Sequence, residues 1–205
     1  PVRLAYGYYR QTGDKSVLDA QWVSAMSNII KTFREQQRKD NIGPYSFMRR
    51  TEWATDGVPL AGYGYPAKPN GMIFSMFRPS DDATIFPLFV PANFFAAESL
   101  KQMAEMLNSI NQKMMAREAT LLRDEVLNGL RECAIVKHKV YGDIYAYEVN
   151  GLGSCNLMDD ANVPSLLSLA YLVPDMANDP VYLNTRRFVL SQHNPFYFNG
   201  RAGEG

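Results

Sequence analysis

The chain has 205 residues, with 21 Lys and Arg against 21 Asp and Glu, so its formal net charge is zero. That balance excludes the basic footprint of a nucleic-acid binder and the polybasic face of a membrane-surface protein. Apolar residues at 46% and charged residues at 20% are globular rather than disordered proportions, and two cysteines are too few for a disulfide scaffold or a four-cysteine zinc site.

In chain order, the opening PVRLAYGYYR carries no Met and no signal-peptide pattern, and the close NPFYFNGRAGEG reads as loop. The expectation is an internal piece of a longer protein. Over 16–39, Leu18, Trp22, Ala25, Met26, Ile29, Ile30 and Phe33 recur at helical spacing. Lys31, Arg34, Glu35, Gln37 and Arg38 lie opposite. Asp14 or Ser16 offers a cap, and Asn41-Ile42-Gly43-Pro44 stops the helix. Residues 43–93 are rich in Gly, Pro and aromatics and predict a long irregular, functional stretch. Two helices follow, over 94–110 (Phe95, Leu100, Met103, Leu107, Ile110) and 112–135 (Met115, Ala119, Leu122, Val126, Leu130). The short joint between them makes an antiparallel pair. Alternation of Tyr145, Tyr147 and Val149 with Ile144, Ala146 and Glu148, followed by Asn150-Gly151, predicts a β-hairpin over Asp143 to Leu157. Short helices over Pro164–Leu169 and Pro180–Leu190 end the readable part. No apolar run reaches the ~18–20 residues of a membrane span. The fold class is mostly α, with one small hairpin and long polar-tipped loops. Paired helices with elaborated loops suggest a helical barrel whose site sits at the loop end.

Nucleophile and metal patterns are poor. His138 and His193 are the two histidines, and neither belongs to a zinc-spaced cluster. The G-x-G pairs at 62–64 and 151–153 lack the context of a dinucleotide loop. Two acidic pairs stand out instead. In Arg78-Pro79-Ser80-Asp81-Asp82, two carboxylates and an Arg sit in an apolar, aromatic stretch. Such surroundings can hold one carboxyl protonated beside an ionised one, as a general acid requires. Alternatively Ser80 or an Asp caps the next helix and Arg78 forms a structural ion pair. In Asp159-Asp160-Ala161-Asn162, the same residue types can cap a Pro-started helix, bind sugar hydroxyls or hold a Ca²⁺ ion, although no EF-hand spacing supports the last. The group Arg49-Arg50-Thr51-Glu52-Trp53 offers donors, a carboxylate and an indole suited to carbohydrate, or else a solvated loop.

The stretches GMIFSMFRPSDDATIFPLFVPANFFA, IYAYEVNGLGSCNLMDDANVPSLLSL and DPVYLNTRRFVLSQHNPFYFNG together resemble glycoside hydrolase family 125, over essentially the whole chain and most nearly its Bacteroides-type members. That resemblance implies an (α/α)6 barrel and an exo-acting α-1,6-mannosidase. It implies inverting hydrolysis without a metal or other cofactor: one carboxylic acid protonates the glycosidic oxygen while a second carboxylate, roughly 6.5–9.5 Å away, activates water. The acid maps to Asp82, with Asp81 as fallback. Arg78, Asn162, Asp159, Asp160, Arg50 and Thr51 are the implied substrate contacts, and a mannose-containing glycan is the implied partner. The family's general base, a Glu in a His-Glu-Ser-Phe-like segment, has no match, and neither does its N-terminal Trp-Leu-Arg-Asp stretch. Residues 1–205 are therefore expected to be the central portion of one catalytic domain, truncated at both ends and inactive alone. Asn150 and Thr84 replace the Asp and Cys of some members, away from the acid. The resemblance also implies an exported, periplasmic protein without membrane insertion. Two alternatives stay open: a non-catalytic carbohydrate-binding helical module, and another (α/α)6 enzyme such as a glucosidase or polysaccharide lyase.

Overall fold

The computed structural model describes residues 1–160 and 162–204, the side chain of Glu204 excepted. Ala161 of the acidic motif lies outside the described residues. The fold is mostly helical. Helix α1 (Val2–Thr12), which the sequence did not announce, ends on Gly13 in the left-handed region. Helix α2 (Ala20–Gln36) starts later than predicted, because Asp19 is the residue whose carboxylate accepts the Trp22 N–H. Asp14 and Ser16 bond each other instead and shape the preceding turn.

Residues 37–87 are irregular, as predicted, with two short helical turns, a 3-10 turn at Ala54–Asp56 and α3 (Pro59–Gly62). The stretch is nevertheless anchored. Gln37, fully buried, donates to the Gly71 carbonyl and to Glu125. At Gly71 a Cβ would come within 2.5 Å of the Glu125 carbonyl, so no side chain fits this crossing.

The core is centred on α4 (Val90–Ser109), buried on several faces through Phe94, Ala97, Leu100, Met103, Met106 and Leu107. Strand β1 (Leu88–Phe89) leads into it. Across the joint at Ile110-Asn111-Gln112, α5 (Lys113–Cys133) returns antiparallel and buries a single stripe, Ala119, Leu122, Val126 and Leu130. The spacing that predicted both helices is the spacing of this contact.

The predicted hairpin is split. Strand β3 (Gly142–Tyr145) pairs back onto β2 (Ile135–His138), with Val136 opposite Ile144. Strand β4 (Glu148–Val149) is the middle of a three-stranded sheet, between β1 and β5 (Cys155–Asn156). The Asn150-Gly151 turn does close β4 onto β5: Asn150 Oδ1 accepts the N–H groups of Leu152 and Ser154. Residues 144–149 are all buried, so both faces of this run are covered and its alternation marks no solvent side.

The helix predicted to start at Pro164 is displaced to α6 (Leu169–Leu172). Ser165 and Ser168 exchange side-chain and backbone hydrogen bonds, and that local turn takes the place of the first helical turn. Helix α7 (Pro180–Val189) is where it was predicted, capped by Asp179. A last pair, β6 (Asn199–Gly200) and β7 (Gly203–Glu204), ends the described chain. No helix among the described residues is long and apolar enough to cross a membrane.

Candidate active site

Pro79 fixes its own φ and suits the second position of a β-turn. The turn forms here: Asp81 N–H donates to the Arg78 carbonyl at 3.1 Å, and Phe77 bridges Ala83. Asp81 sits at φ 68°, a region that Asp tolerates better than most residues. Its side chain is 78% exposed and pairs with Arg49 at 3.5 Å. Asp82 follows, partly buried, with Oδ2 accepting the Ser80 hydroxyl at 3.1 Å. Neither Asp caps a helix, since the next one begins at Val90.

Arg78 is not the partner of this acidic pair. Its backbone N–H donates to the Asp82 carbonyl, but its guanidinium turns inward to Glu148, Nε to Oε1 at 2.6 Å and Nη2 to Oε2 at 3.2 Å. The Arg78 side chain is 8% exposed and that of Glu148 fully buried. Burial works against the guanidinium's charge, but the Glu148 carboxylate outweighs it and raises the Arg78 pKa. Glu148 Oε2 also accepts the N–H groups of Ile85 and Phe86 and the amide of Asn156. One carboxylate thus fastens the segment after the acid turn to β4 and β5. This fastening residue has no place among the sequence candidates; its one signal is an acid at an inward position of an apolar alternation.

Beside this pair, Tyr147 packs edge-on against Phe89, 4.8 Å between centroids, and lies 5.6 Å from the Arg78 guanidinium. Its hydroxyl is buried, with the Asp160 carboxylate as its polar neighbour. Burial, and then the neighbouring Asp160 carboxylate, push the Tyr147 phenol well above its ordinary range. The Asp160 charge also acts on Arg78, so Asp160 belongs to the same neighbourhood.

The second acidic motif divides. Asp159 is 2% exposed and its two oxygens accept the N–H groups of Leu166 and Leu167, both at 2.9 Å. Asn194 bonds its backbone from both sides. Burial pushes the Asp159 carboxyl up to about 6, against the pull of those N–H groups. It holds the turn that precedes α6 and caps no helix, since α6 begins at Leu169 without a side-chain cap. Asp160 Oδ1 accepts the N–H of Asn162, and the Asn162 side chain is exposed.

The loop from Phe47 to Gly57 lies against the acid turn. Phe47 meets Phe77 edge-on at 5.1 Å, and Ala83 N–H donates to the Thr55 carbonyl at 2.8 Å. Arg49 donates to the Asp56 carbonyl, and the Thr51 hydroxyl to the Asp56 carboxylate. Arg50 is exposed and pairs with nothing among the described residues. Asp81, Asp82, Arg78, Arg49, Thr51 and Asp160 are therefore one connected neighbourhood, while Asp159 serves its own turn and Arg50 and Asn162 stand at the surface. His138 and His193 lie apart, packed with Tyr141. No group of three or more metal-ligating side chains occurs among the described residues. Cavities of about 470 Å³ between α1, α2 and α4, and about 520 Å³ by Arg38 and Tyr65, are lined by none of the candidate residues.

The family model for metal-independent alpha-mannosidases (GH125) matches residues 1–205. The Meiotically up-regulated gene 157 protein of Schizosaccharomyces pombe is 39% identical over 216 residues, covering all of this chain and 42% of that protein. A solved Streptococcus pneumoniae structure, from a family of metal-independent alpha mannosidases and described as a non-productive substrate complex with alpha-1,6-mannobiose, aligns with a TM-score of 0.94 at 36% identity. The alignment covers all of this chain and 49% of that one, so the chain spans less than half the length of these relatives. With the Arg78–Asp82 turn, the sheet beneath it and the helical frame all falling within that match, the chain belongs to the metal-independent alpha-mannosidase family, glycoside hydrolase family 125.

Proposed function

We propose that the protein to which this chain belongs is an exo-acting α-mannosidase that releases non-reducing mannose from α-1,6 linkages with inversion. Asp82 is the general acid. The general base is supplied from outside residues 1–205, so this chain alone is inactive, as the central portion of one catalytic domain. Its helices are part of an (α/α)6 barrel with the acid turn at the loop end, and the parent is exported.

The observation that carries this reading is the difference between Asp82 and its neighbours. Asp81 is exposed and paired with Arg49, Glu148 is buried under four donor groups, and Asp159 is buried with each oxygen on a backbone N–H, whereas Asp82 is only partly buried, receives one serine hydroxyl and keeps oxygen positions within reach of solvent. A general acid needs that freedom to hand over a proton. The turn is rigid beneath it, tied by the Arg78–Glu148 pair, so the proton is held in place rather than on a wandering loop. Half-buried Asp160 and exposed Thr51 supply oxygens for sugar hydroxyls.

The test is made on the full-length parent with α-1,6-mannobiose. Asp82→Asn is expected to lower kcat by about 10²–10⁴-fold, the usual worth of a general acid, with an unchanged melting curve. Nuclear magnetic resonance of the first-formed mannose should show the β-anomer. Near-normal turnover in Asp82→Asn, with loss in Asp81→Asn, would move the acid to Asp81.

A further inference from the structure

Trp53 is 73% exposed, yet the loop that carries it is not loose. The Trp53 N–H donates to the Thr51 hydroxyl, and its carbonyl accepts from Asp56. Two residues on, the Thr55 carbonyl accepts from Ala83, the residue that follows Asp82. Arg49 spans Asp56 and Asp81 with one guanidinium. An indole displayed in solvent on a loop bonded directly to the acid turn is an ordered apolar surface with nothing to cover it among the described residues.

We propose that Trp53 is a specificity-determining platform for the leaving-group sugar, which rests on the α-mannosidase reading above. A pyranose has a face of C–H groups that gains by lying on an aromatic ring, while its hydroxyls take hydrogen bonds at the edge. Arg49 and Thr51 stand on the same loop to meet that edge. The side is set by exposure: an exo-acting site must enclose the terminal sugar, and the sugar beyond the scissile bond leads out to solvent. A ring at the surface beside the acid therefore serves the departing sugar, and holding that sugar aligns the glycosidic oxygen with Asp82.

The experiment compares Trp53→Ala and Trp53→Tyr in the full-length parent on α-1,6-mannobiose and on α-mannosyl fluoride, which has no sugar on the leaving side. Trp53→Ala should raise KM for the disaccharide roughly tenfold with less change in kcat, and leave kcat/KM for the fluoride within about twofold. Trp53→Tyr should recover most of the loss. Equal losses on both substrates, or none on the disaccharide, overturn the assignment while the α-mannosidase reading stands. A wild-type parent that cleaves neither substrate overturns that reading, and the Trp53 platform falls with it. A melting temperature unchanged from wild type shows that the variant is folded.

Discussion

Asp159 and Asp82 each belong to an Asp-Asp dipeptide in a turn, but their surroundings are opposite. Asp159 is enclosed and gives both oxygens to backbone N–H groups, whereas Asp82 is partly covered and takes one serine hydroxyl. A buried carboxylate held on both oxygens by backbone N–H groups fixes a turn; one that is partly exposed with a single donor can exchange a proton with a group outside. Glu148 falls on the Asp159 side of this division and is the most completely engaged of the three, with four donor groups on two oxygens.

The largest effect should follow from breaking the most engaged member. Glu148→Ala leaves the buried Arg78 charge unpaired and strips acceptors from Ile85, Phe86 and Asn156. A loss of about 3–5 kcal/mol is expected, read from chemical denaturation midpoints. Replacing both partners with apolar residues should cost much less, since most of the penalty is the stranded charge.

Next comes the pH dependence that Asp159 imposes. Its carboxyl titrates near 6 when folded, against 3.8 unfolded. Between these values the folded protein holds a proton that the unfolded chain has released, so stability is greatest at the acid end and declines as pH rises through 6. The span corresponds to roughly 2–3 kcal/mol. Glu125 has the opposite sign: burial raises it, but Arg34, Lys39 and Gln37 outweigh burial and hold it at about 2. Its contribution is present above 4.5 and lost as pH falls through about 2. The interval from 4.5 to 6.5 therefore isolates Asp159. Asp159→Asn should flatten the melting temperature there, and a slope equal to wild type would contradict the assignment.

The same division explains what the sequence disclosed. Helices α2, α4, α5 and α7 were legible because each buries a stripe at helical spacing against one core. Helix α1 was not, since Val2 alone of its residues is buried and no apolar stripe marks the run. The split hairpin was hidden because residues 144–149 are covered on both faces, so alternation carried no pairing information. At the site, Asp81-Asp82 and Arg78 stood out by type and neighbours, whereas the cap expected of Asp159 became the anchor of a non-helical turn because the helix starts later, at Leu169. A structural ion pair of Arg78 was one of the open readings, but its partner Glu148 could not be read because 70 residues separate the two. Only folding of β4 beneath the turn creates the pair. A motif shows which groups could act; it does not show which of them are already bonded.

The smallest effect tests whether the single bond to Asp82 matters. The Ser80 hydroxyl is the one donor that the described residues bring to its carboxylate, and it comes from within the same turn. Removing it does not open the fold, because the turn is held by the Arg78 and Asp81 backbone bonds and by Glu148. What it removes is a preference for one carboxyl rotamer. Ser80→Ala in the full-length parent should therefore leave the melting temperature in place and lower kcat on α-1,6-mannobiose roughly two- to fivefold, the scale of one partly exposed hydrogen bond. Ser80→Thr keeps the hydroxyl and should restore the rate. If Ser80→Ala and Ser80→Thr are equally slow, the effect is steric and the hydroxyl does not position the proposed acid; if neither is slow, Asp82 does not depend on Ser80 for its orientation.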